Sequence, residues 1–263
     1  MESINNISRL SFLNTFLCKY RPGKVMDYSS LARPFHIIGY MQKGEATISG
    51  ATGTIHLRPG DCFFIPLGET YISRWSEAEE SSILCVFFYF EYENNPLEGK
   101  KYPMQKIEND APSKIRILLD RLDEAIKDTA VFPAMQFFYE LVAFVFARLS
   151  YVETPKLSSP VHNALHYLHI HFAEPVSIRH LADICFLSES RFMHVFKSVT
   201  GMSAIAYKNK LAIRHASRLL LSPEKSIEEI SEECGYSSSV YFRRVFRETT
   251  GLSPREYRKK NAI

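Results

Sequence analysis

The feature that most constrains this chain is a stretch near its end that occurs twice. Ser177-Ile178, Leu181, Cys185 and Ser188 recur as Ser226-Ile227, Ile230, Cys234 and Ser237, at an offset of 49 residues. Phe192, Val195, Phe196, Gly201, Ser203 and Tyr207 recur as Phe242, Val245, Phe246, Gly251, Ser253 and Tyr257 at an offset of 50, so the second copy has gained one residue between its Ser and its Phe. A fixed-period self-match in only two copies marks a duplicated small module and not a solenoid. Each copy reads as helix, tight turn, helix. In the first, Ser177 caps a short helix with Ile178, Leu181, Ala182 and Cys185 on its apolar side. Ser188 caps the next, which buries Phe192, Val195, Phe196 and Val199 and ends at Gly201. In the second, Gly235 supplies the left-handed turn residue that such units often carry. The spacing predicts one longer helix between them, Ser203 to Leu221, closed by Ser222-Pro223. At about 1.5 Å per residue it spans roughly 28 Å, against the roughly 34 Å between major grooves on one face of a duplex. Two readers on such a strut can sit in successive grooves. The competing reading is an all-helical protein-docking domain.

Two segments carry a family resemblance. Leu187-Ser-Glu-Ser-Arg-Phe-Met-His-Val-Phe-Lys197 with Thr200-Gly201, and Gly235-Tyr-Ser-Ser-Ser-Val-Tyr-Phe-Arg-Arg-Val-Phe-Arg247 with Thr249 to Tyr257, resemble the DNA-binding domain of AraC/XylS-type transcription regulators. The likeness covers about 100 residues, from near Val161 onward, and its Gly-Tyr-Ser, Tyr-Phe-x-x-x-Phe, Thr-Gly-x-Ser-Pro and Tyr elements occur in order. The first copy departs at Ala204, where a Pro usually follows the Ser.

The remainder of the chain is consistent with a soluble regulator. Its 263 residues suit one or two domains. No run of about 18 apolar residues marks a membrane span, and the longest apolar cluster, Phe137 to Leu149, is interrupted by Glu140 and Arg148. The start, Met1-Glu-Ser-Ile-Asn-Asn, lacks the layout of a secretion signal. Cys18, Cys62, Cys85, Cys185 and Cys234 are odd in number and scattered, which reads as buried thiols in a reducing compartment. A cytoplasmic protein is expected. Charge is uneven: residues 160–263 hold 15 Lys+Arg against 10 Asp+Glu with seven of the nine histidines, while residues 1–159 hold 17 against 19. A basic C-terminal part beside a mildly acidic N-terminal one suits nucleic-acid contact confined to one end.

From about Phe35 to Glu93 the pattern has period two. His36 to Met41, Glu45 to Ser49, Thr54 to Leu57, Asp61 to Pro66, Thr70 to Trp75 and Ser82 to Phe90 read as short strands, with turn signals at Lys43-Gly44, Gly50 to Gly53, Pro59-Gly60 and Leu67-Gly68. Strands at roughly ten-residue spacing predict an antiparallel barrel or jelly roll. The run Leu57 to Tyr71 resembles the sensor half of cupin-type AraC-family proteins. Metal-dependent cupins hold their ion with closely spaced histidines and a carboxylate. Here only His36 and His56 fall in this region, twenty residues apart, so no metal, cofactor or catalytic residue is expected. A closed barrel would instead enclose a small ligand, with His36, Tyr40, Arg58, Glu69, Tyr71, Arg74 and Trp75 as candidate lining residues.

Past Asp110 the period becomes helical. Ile115, Leu118, Leu119, Leu122 and Ile126 mark one helix face. Phe137, Phe138, Leu141, Val142, Phe144, Val145 and Leu149 make a second helix apolar over most of its circumference, which needs cover on two sides. A second copy of the chain supplies one of them if the resemblance holds, since such proteins often dimerise through helices here; an internal core is the alternative. The expected organisation is a sensing barrel at 1–109, a helical pair at 110–150, a linker at 151–160 and a double helix-turn-helix domain at 161–263.

With the aromatic residues turned inward, the first recognition helix presents Ser190, Arg191 and His194, and the second presents Ser238, Ser239, Arg243 and Arg244. Arginine is the commonest reader of guanine, and the resemblance places base contacts at Arg191, His194, Ser239 and Arg244. Lys197, Arg247, Arg258 and Lys259 read as phosphate neutralisers. The expected function is a DNA-binding transcription regulator, an activator, controlled by a small molecule in the barrel. Sugars are among the ligands it admits, and RNA polymerase is an expected partner. The alternatives are a metal-dependent cupin enzyme fused to a DNA anchor, and a regulator governed by a protein partner.

Overall fold

Six strands form between Phe35 and Phe90, each within two residues of its expected limits. The computed structural model describes residues 10–29, 33–90, 97, 99–107, 112–153, 160–221 and 223–261. The strands are β3 (His36–Lys43), β4 (Ala46–Gly50), β5 (Gly53–Leu57), β6 (Cys62–Ile65), β7 (Tyr71–Trp75) and β8 (Ser81–Phe90). Before them lie β1 (Leu10–Tyr20) and β2 (Val25–Asp27), which fall outside the expected set; β9 (Lys100–Lys101) and β10 (Gln105–Ile107) follow. One sheet has the order β1-β8-β3-β6-β10 and the other β2-β7-β4-β5, with antiparallel pairing throughout. That interleaved order is the jelly roll.

The expected barrel closure is corrected. The two sheets face each other, yet among the described residues no ladder joins their edges, so they are not closed into a barrel. Alternation could not distinguish the two, because a sandwich and a barrel both turn every second side chain inward. The inner strands β8 and β3 of the first sheet are buried on both faces over most of their length, so they read as nearly continuous apolar runs. Its outer face carries α1 (Pro112–Lys127) and α2 (Val131–Phe146). Ile115, Leu118, Leu119 and Leu122 of α1 are fully buried. From α2, Phe138 packs 5.3 Å from Phe88, and Phe146 lies 5.3 Å from Phe64.

The other side of α2 is partly covered by cations. Arg121 lies over Phe137 at 5.7 Å, and Lys114 and Arg148 flank Phe144 at 4.9 and 3.7 Å. Val131 and Phe132 are exposed. A further short strand, β11 (Val152–Glu153), pairs with β9, so these two residues of the expected linker belong to the sheet unit. Residues 154–159 lie outside the described residues.

The second unit is helical: α3 (His162–Ile170), α4 (Ile178–Asp183), α5 (Glu189–Thr200), α6 (Ala204–Leu219), α7 (Ile227–Glu233), α8 (Ser239–Thr250) and α9 (Pro254–Asn261). The duplication is visible in the caps. Ser177, Ser188, Ser203, Ser226 and Ser238 each accept a backbone N–H from three residues on, and Gly201 and Gly251 end α5 and α8 in the left-handed conformation. The connecting helix is shorter than expected, Ala204–Leu219, about 24 Å. Nor is it a bare strut: no residue from Tyr207 to Leu220 is fully exposed. Leu211, Ala212, Ile213, Ala216 and Leu220 are buried, because the two modules pack around it.

Candidate nucleic-acid interface and effector cavity

The structure locates the extra residue of the second copy. Phe186 and Gly235 hold the same place in the two turns, both left-handed, with φ of 56° and 79°. One residue, Leu187, separates Phe186 from the cap Ser188; two, Tyr236 and Ser237, separate Gly235 from the cap Ser238. The insertion therefore lies in the turn, and α5 and α8 correspond at an offset of 50 throughout. Ser190 matches Val240, Arg191 matches Tyr241, His194 matches Arg244, and Lys197 matches Arg247.

Within this register the expected base-reading residues fall in different surroundings. Phe192 and Phe196 in one copy, and Phe242, Val245 and Phe246 in the other, are buried. Ser190, Arg191, His194, Arg243, Arg244, Lys197, Arg247 and Lys259 are exposed, and Ser239 is half-buried. The Ser238 hydroxyl, however, is occupied as the N-cap, accepting the Tyr241 N–H. Arg243 is paired with Glu228 on α7, which ties the two helices of its module together. Arg244 is less constrained, 67% exposed, 3.8 Å from Glu248 and 5.1 Å above the Tyr241 ring. Arg258 is half-buried and donates to the Lys225 carbonyl, with its Nε fully buried, so it braces α9 against the segment before α7. Val240, 72% exposed, and Tyr241, 44% exposed, stand at the N-terminal end of α8 and were absent from the expected set. The signal for them was the offset itself, once the inserted residue is placed in the turn.

The candidate ligand residues divide among four places. Tyr71 and Trp75 line a cavity between the sheets, together with Cys18, Tyr20, Tyr28, Arg33 and Ser73. His36 faces the other side of its sheet, its ring 5.8 Å from Phe64 and 5.2 Å from Phe88, and its Nδ1 accepts the Leu67 N–H at 3.0 Å. Burial lowers its pKa to about 3, so it is a neutral core residue. Strand alternation puts Tyr40 on that same face. Glu69 is buried in a loop, where it accepts the Thr52 N–H and hydroxyl, both at 3.0 Å. Arg58 and Arg74 sit on the outer face of the second sheet around a shallow groove, with Arg58 3.6 Å from Glu45. Period-two alternation left inward and outward undecided, and the topology decides it.

The missed residue that matters most is Arg33. It is 7% exposed inside the sandwich, yet a fully apolar core has no use for a guanidinium. It donates to the Tyr28 hydroxyl at 2.9 Å and to the Tyr71 hydroxyl at 3.5 Å, and it lies 4.0 Å over the Tyr28 ring. Beside it, Tyr20 stacks on Trp75 at 3.7 Å. Burial raises the Tyr20, Tyr71, Cys18 and Cys85 pKa values, which keeps these groups neutral. The cavity is about 20 Å³, room for about one water. Among the described residues, no group of three or more His, Cys, Asp or Glu could hold a metal, and no helix is long and apolar enough to cross a membrane.

Comparison with known proteins gives the same two halves in the same order. A helix-turn-helix domain matches residues 181–260, and an AraC-like ligand binding domain matches residues 27–71. The uncharacterized HTH-type transcriptional regulator YijO of Escherichia coli is 26% identical over 228 residues, 83% of this chain and 79% of that protein. The arabinose operon regulatory protein of Salmonella typhimurium is 25% identical over 240 residues, 86% of this chain and 85% of that one. Among solved structures, unsaturated-fatty-acid-bound ToxT from Vibrio cholerae has a TM-score of 0.60 at 14% identity, covering 97% of this chain and 96% of that chain. At that identity the likeness is one of fold.

Proposed function

The chain belongs to the AraC family of transcriptional regulators, with a ligand-binding domain ahead of a helix-turn-helix DNA-binding domain, and we propose that it activates transcription when a small polar molecule occupies the cavity around Arg33. On the DNA side, α5 reads bases through Ser190, Arg191 and His194, and α8 through Ser239, Val240, Tyr241 and Arg244. Support comes from exposure at the N-terminal ends of two matched helices, the part of a recognition helix that meets base edges. Arg191 and Arg244 suit guanine, and the exposed Val240 suits a thymine methyl. Lys197, Arg247 and Lys259 neutralise phosphates.

On the ligand side, the single observation that carries the reading is the buried Arg33 with two tyrosine hydroxyls beside a stacked aromatic pair. Hydroxyl donors and a guanidinium next to a flat ring suit a sugar-sized polar ligand, and the Tyr20 ring occupies the place that a ligand's flat face would take on Trp75. The cavity admits such a molecule only after these side chains part. Ligand binding therefore selects an arrangement different from the closed one, and that difference in affinity is the free energy available for control. The exposed Val131 and Phe132 on α2 support a homodimer through the helical pair, and RNA polymerase is the partner that activation implies.

Two experiments test this. In a binding-site selection with the full chain, Arg191→Ala should lose about 1–3 kcal/mol and relax preference at one base pair, while Lys197→Ala should weaken binding evenly across sequences. Unchanged selectivity for Arg191→Ala rejects its role. In a thermal-shift screen of sugars and small carboxylates, a specific binder raises the melting temperature by mass action. A shift that survives both Arg33→Ala and Trp75→Ala places the ligand elsewhere.

A further inference from the structure

The two reading modules are clasped together at one point away from their recognition helices. The left-handed backbone at Gly235 asks for glycine, but the surroundings ask more strictly: a Cβ there would lie 1.9 Å from the Ala173 carbonyl oxygen and 2.5 Å from its carbon. Ala173 belongs to the segment between α3 and α4, in the first module, whereas Gly235 is the turn of the second. The neighbouring Phe172 lies 5.2 Å from the His215 ring on α6. His215 is 3.3 Å from Glu233 at the end of α7, and Glu233 in turn pairs with Lys225. Backbone against backbone at Ala173–Gly235, continued by this side-chain chain, fixes the second module's turn to the first module's loop.

We propose that the Phe172-Ala173 segment is the clasp that sets the angle and spacing of the two recognition helices, and so determines which half-site separation in DNA the protein accepts. The proposal rests on both modules touching one duplex. Gly235, Ala173 and Phe172 act as positioning residues, since none lies on a recognition helix. The first copy supplies an internal control: Phe186 has the same left-handed place but is 91% exposed, so changing it leaves the clasp intact.

The test uses the full chain and a duplex recovered by selection with the unmodified protein, plus versions in which either half-site is scrambled or base pairs are added between the halves. In Gly235→Ala the added methyl must push the Ala173 backbone away. Affinity for the complete site should fall at least about tenfold, as simultaneous engagement is lost, while affinity for a duplex with one half-site changes less than about twofold. The best separation should also move by one or more base pairs. Phe186→Gly should change neither quantity. Should Gly235→Ala fail to fold, Phe172→Ala, which introduces no clash, carries the same expectation with a smaller loss. Equal losses on complete and single half-sites, or an unmoved preference for separation, overturn the clasp. A selection that recovers no duplex overturns instead the premise that both modules read DNA.

Discussion

Phe186 and Gly235 occupy one place in two copies of the same module, and what surrounds them differs. The first turn leaves a phenyl ring in solvent on a left-handed backbone; the second presses a glycine against the carbonyl of Ala173. The recognition helices differ in the same spirit. Arg191 on α5 stands where α8 has Tyr241, and Ser190 where α8 has Val240. Duplication kept what the fold needs, namely serine caps, glycine ends and buried phenylalanines. It varied the exposed N-terminal residues of α5 and α8 and the turn that meets the neighbouring module. Equivalent cores with unlike surfaces are what the proposed reading of two unlike half-sites requires.

The comparison can be broken most forcefully in the cores. Phe196 packs on Phe192 and Tyr207, and Phe246 on Phe242 and Tyr257. Either Phe→Ala change should cost about 3–5 kcal/mol in urea unfolding of the full chain. Costs differing by more than about 2 kcal/mol would show that the copies are not energetically equivalent.

Acid sharpens the contrast next. Burial, reinforced by Arg214, His166 and Arg218, holds the His169 pKa at about 3, while its Nε2 is 3.0 Å from the Tyr207 hydroxyl. The unfolded imidazole takes a proton below pH about 6.5 and the folded one does not until about 3, so stability is full above about pH 6.5 and falls with pH by up to ~1.4 kcal/mol per unit. Burial also lowers the His215 pKa, but Glu233 opposes it. Urea midpoints from pH 7 to 4.5 should therefore flatten more in His169→Gln than in His215→Gln; the reverse order would contradict the assigned environments.

Smaller effects follow at the caps. Ser226 and Glu229 form a reciprocal capping box, whereas Ser177 accepts only the His180 N–H. Ser226→Ala should cost about 1–2 kcal/mol and Ser177→Ala about half as much, in the same unfolding measurement. The smallest change has the opposite sign. Phe186→Gly removes the left-handed penalty on an exposed ring and should stabilise by about 0.5 kcal/mol, the remainder being offset by the greater freedom of glycine in the unfolded chain. A loss of stability there would mean that the ring is held by contacts of its own.

Much of this was legible in the residues. Six strand limits, the Ser177 and Ser188 caps and both helix-turn-helix modules follow from local periods and capping chemistry, which act over a few residues; the α8 cap is Ser238 and not Ser237, the counterpart of Ser188 at the 49-residue offset. The long strand β1 was missed because Asn14, Thr15 and Lys19 blur its alternation, and it supplies Cys18 and Tyr20 to the cavity. The cavity lining was only partly readable: alternation sorts residues into two faces without saying which is inside, so His36 and Trp75 looked equally eligible. Arg33 carries no local mark, since its meaning comes from being enclosed. Arg258 and Arg243 read as unpartnered cations in the sequence, where nothing marks the Lys225 carbonyl or Glu228 as their neighbours.

What the chain of residues determined alone is the duplicated module, its helix starts and stops, the strand-rich half, and the class of regulator these imply, because each rests on short-range geometry or on residue patterns repeated in order. The tertiary structure alone decided that the sheets stay open, that a buried arginine marks the cavity, and that Ala173 meets Gly235. Those depend on which surfaces come together across long separations in sequence, where sterics and desolvation act between residues that no local period connects.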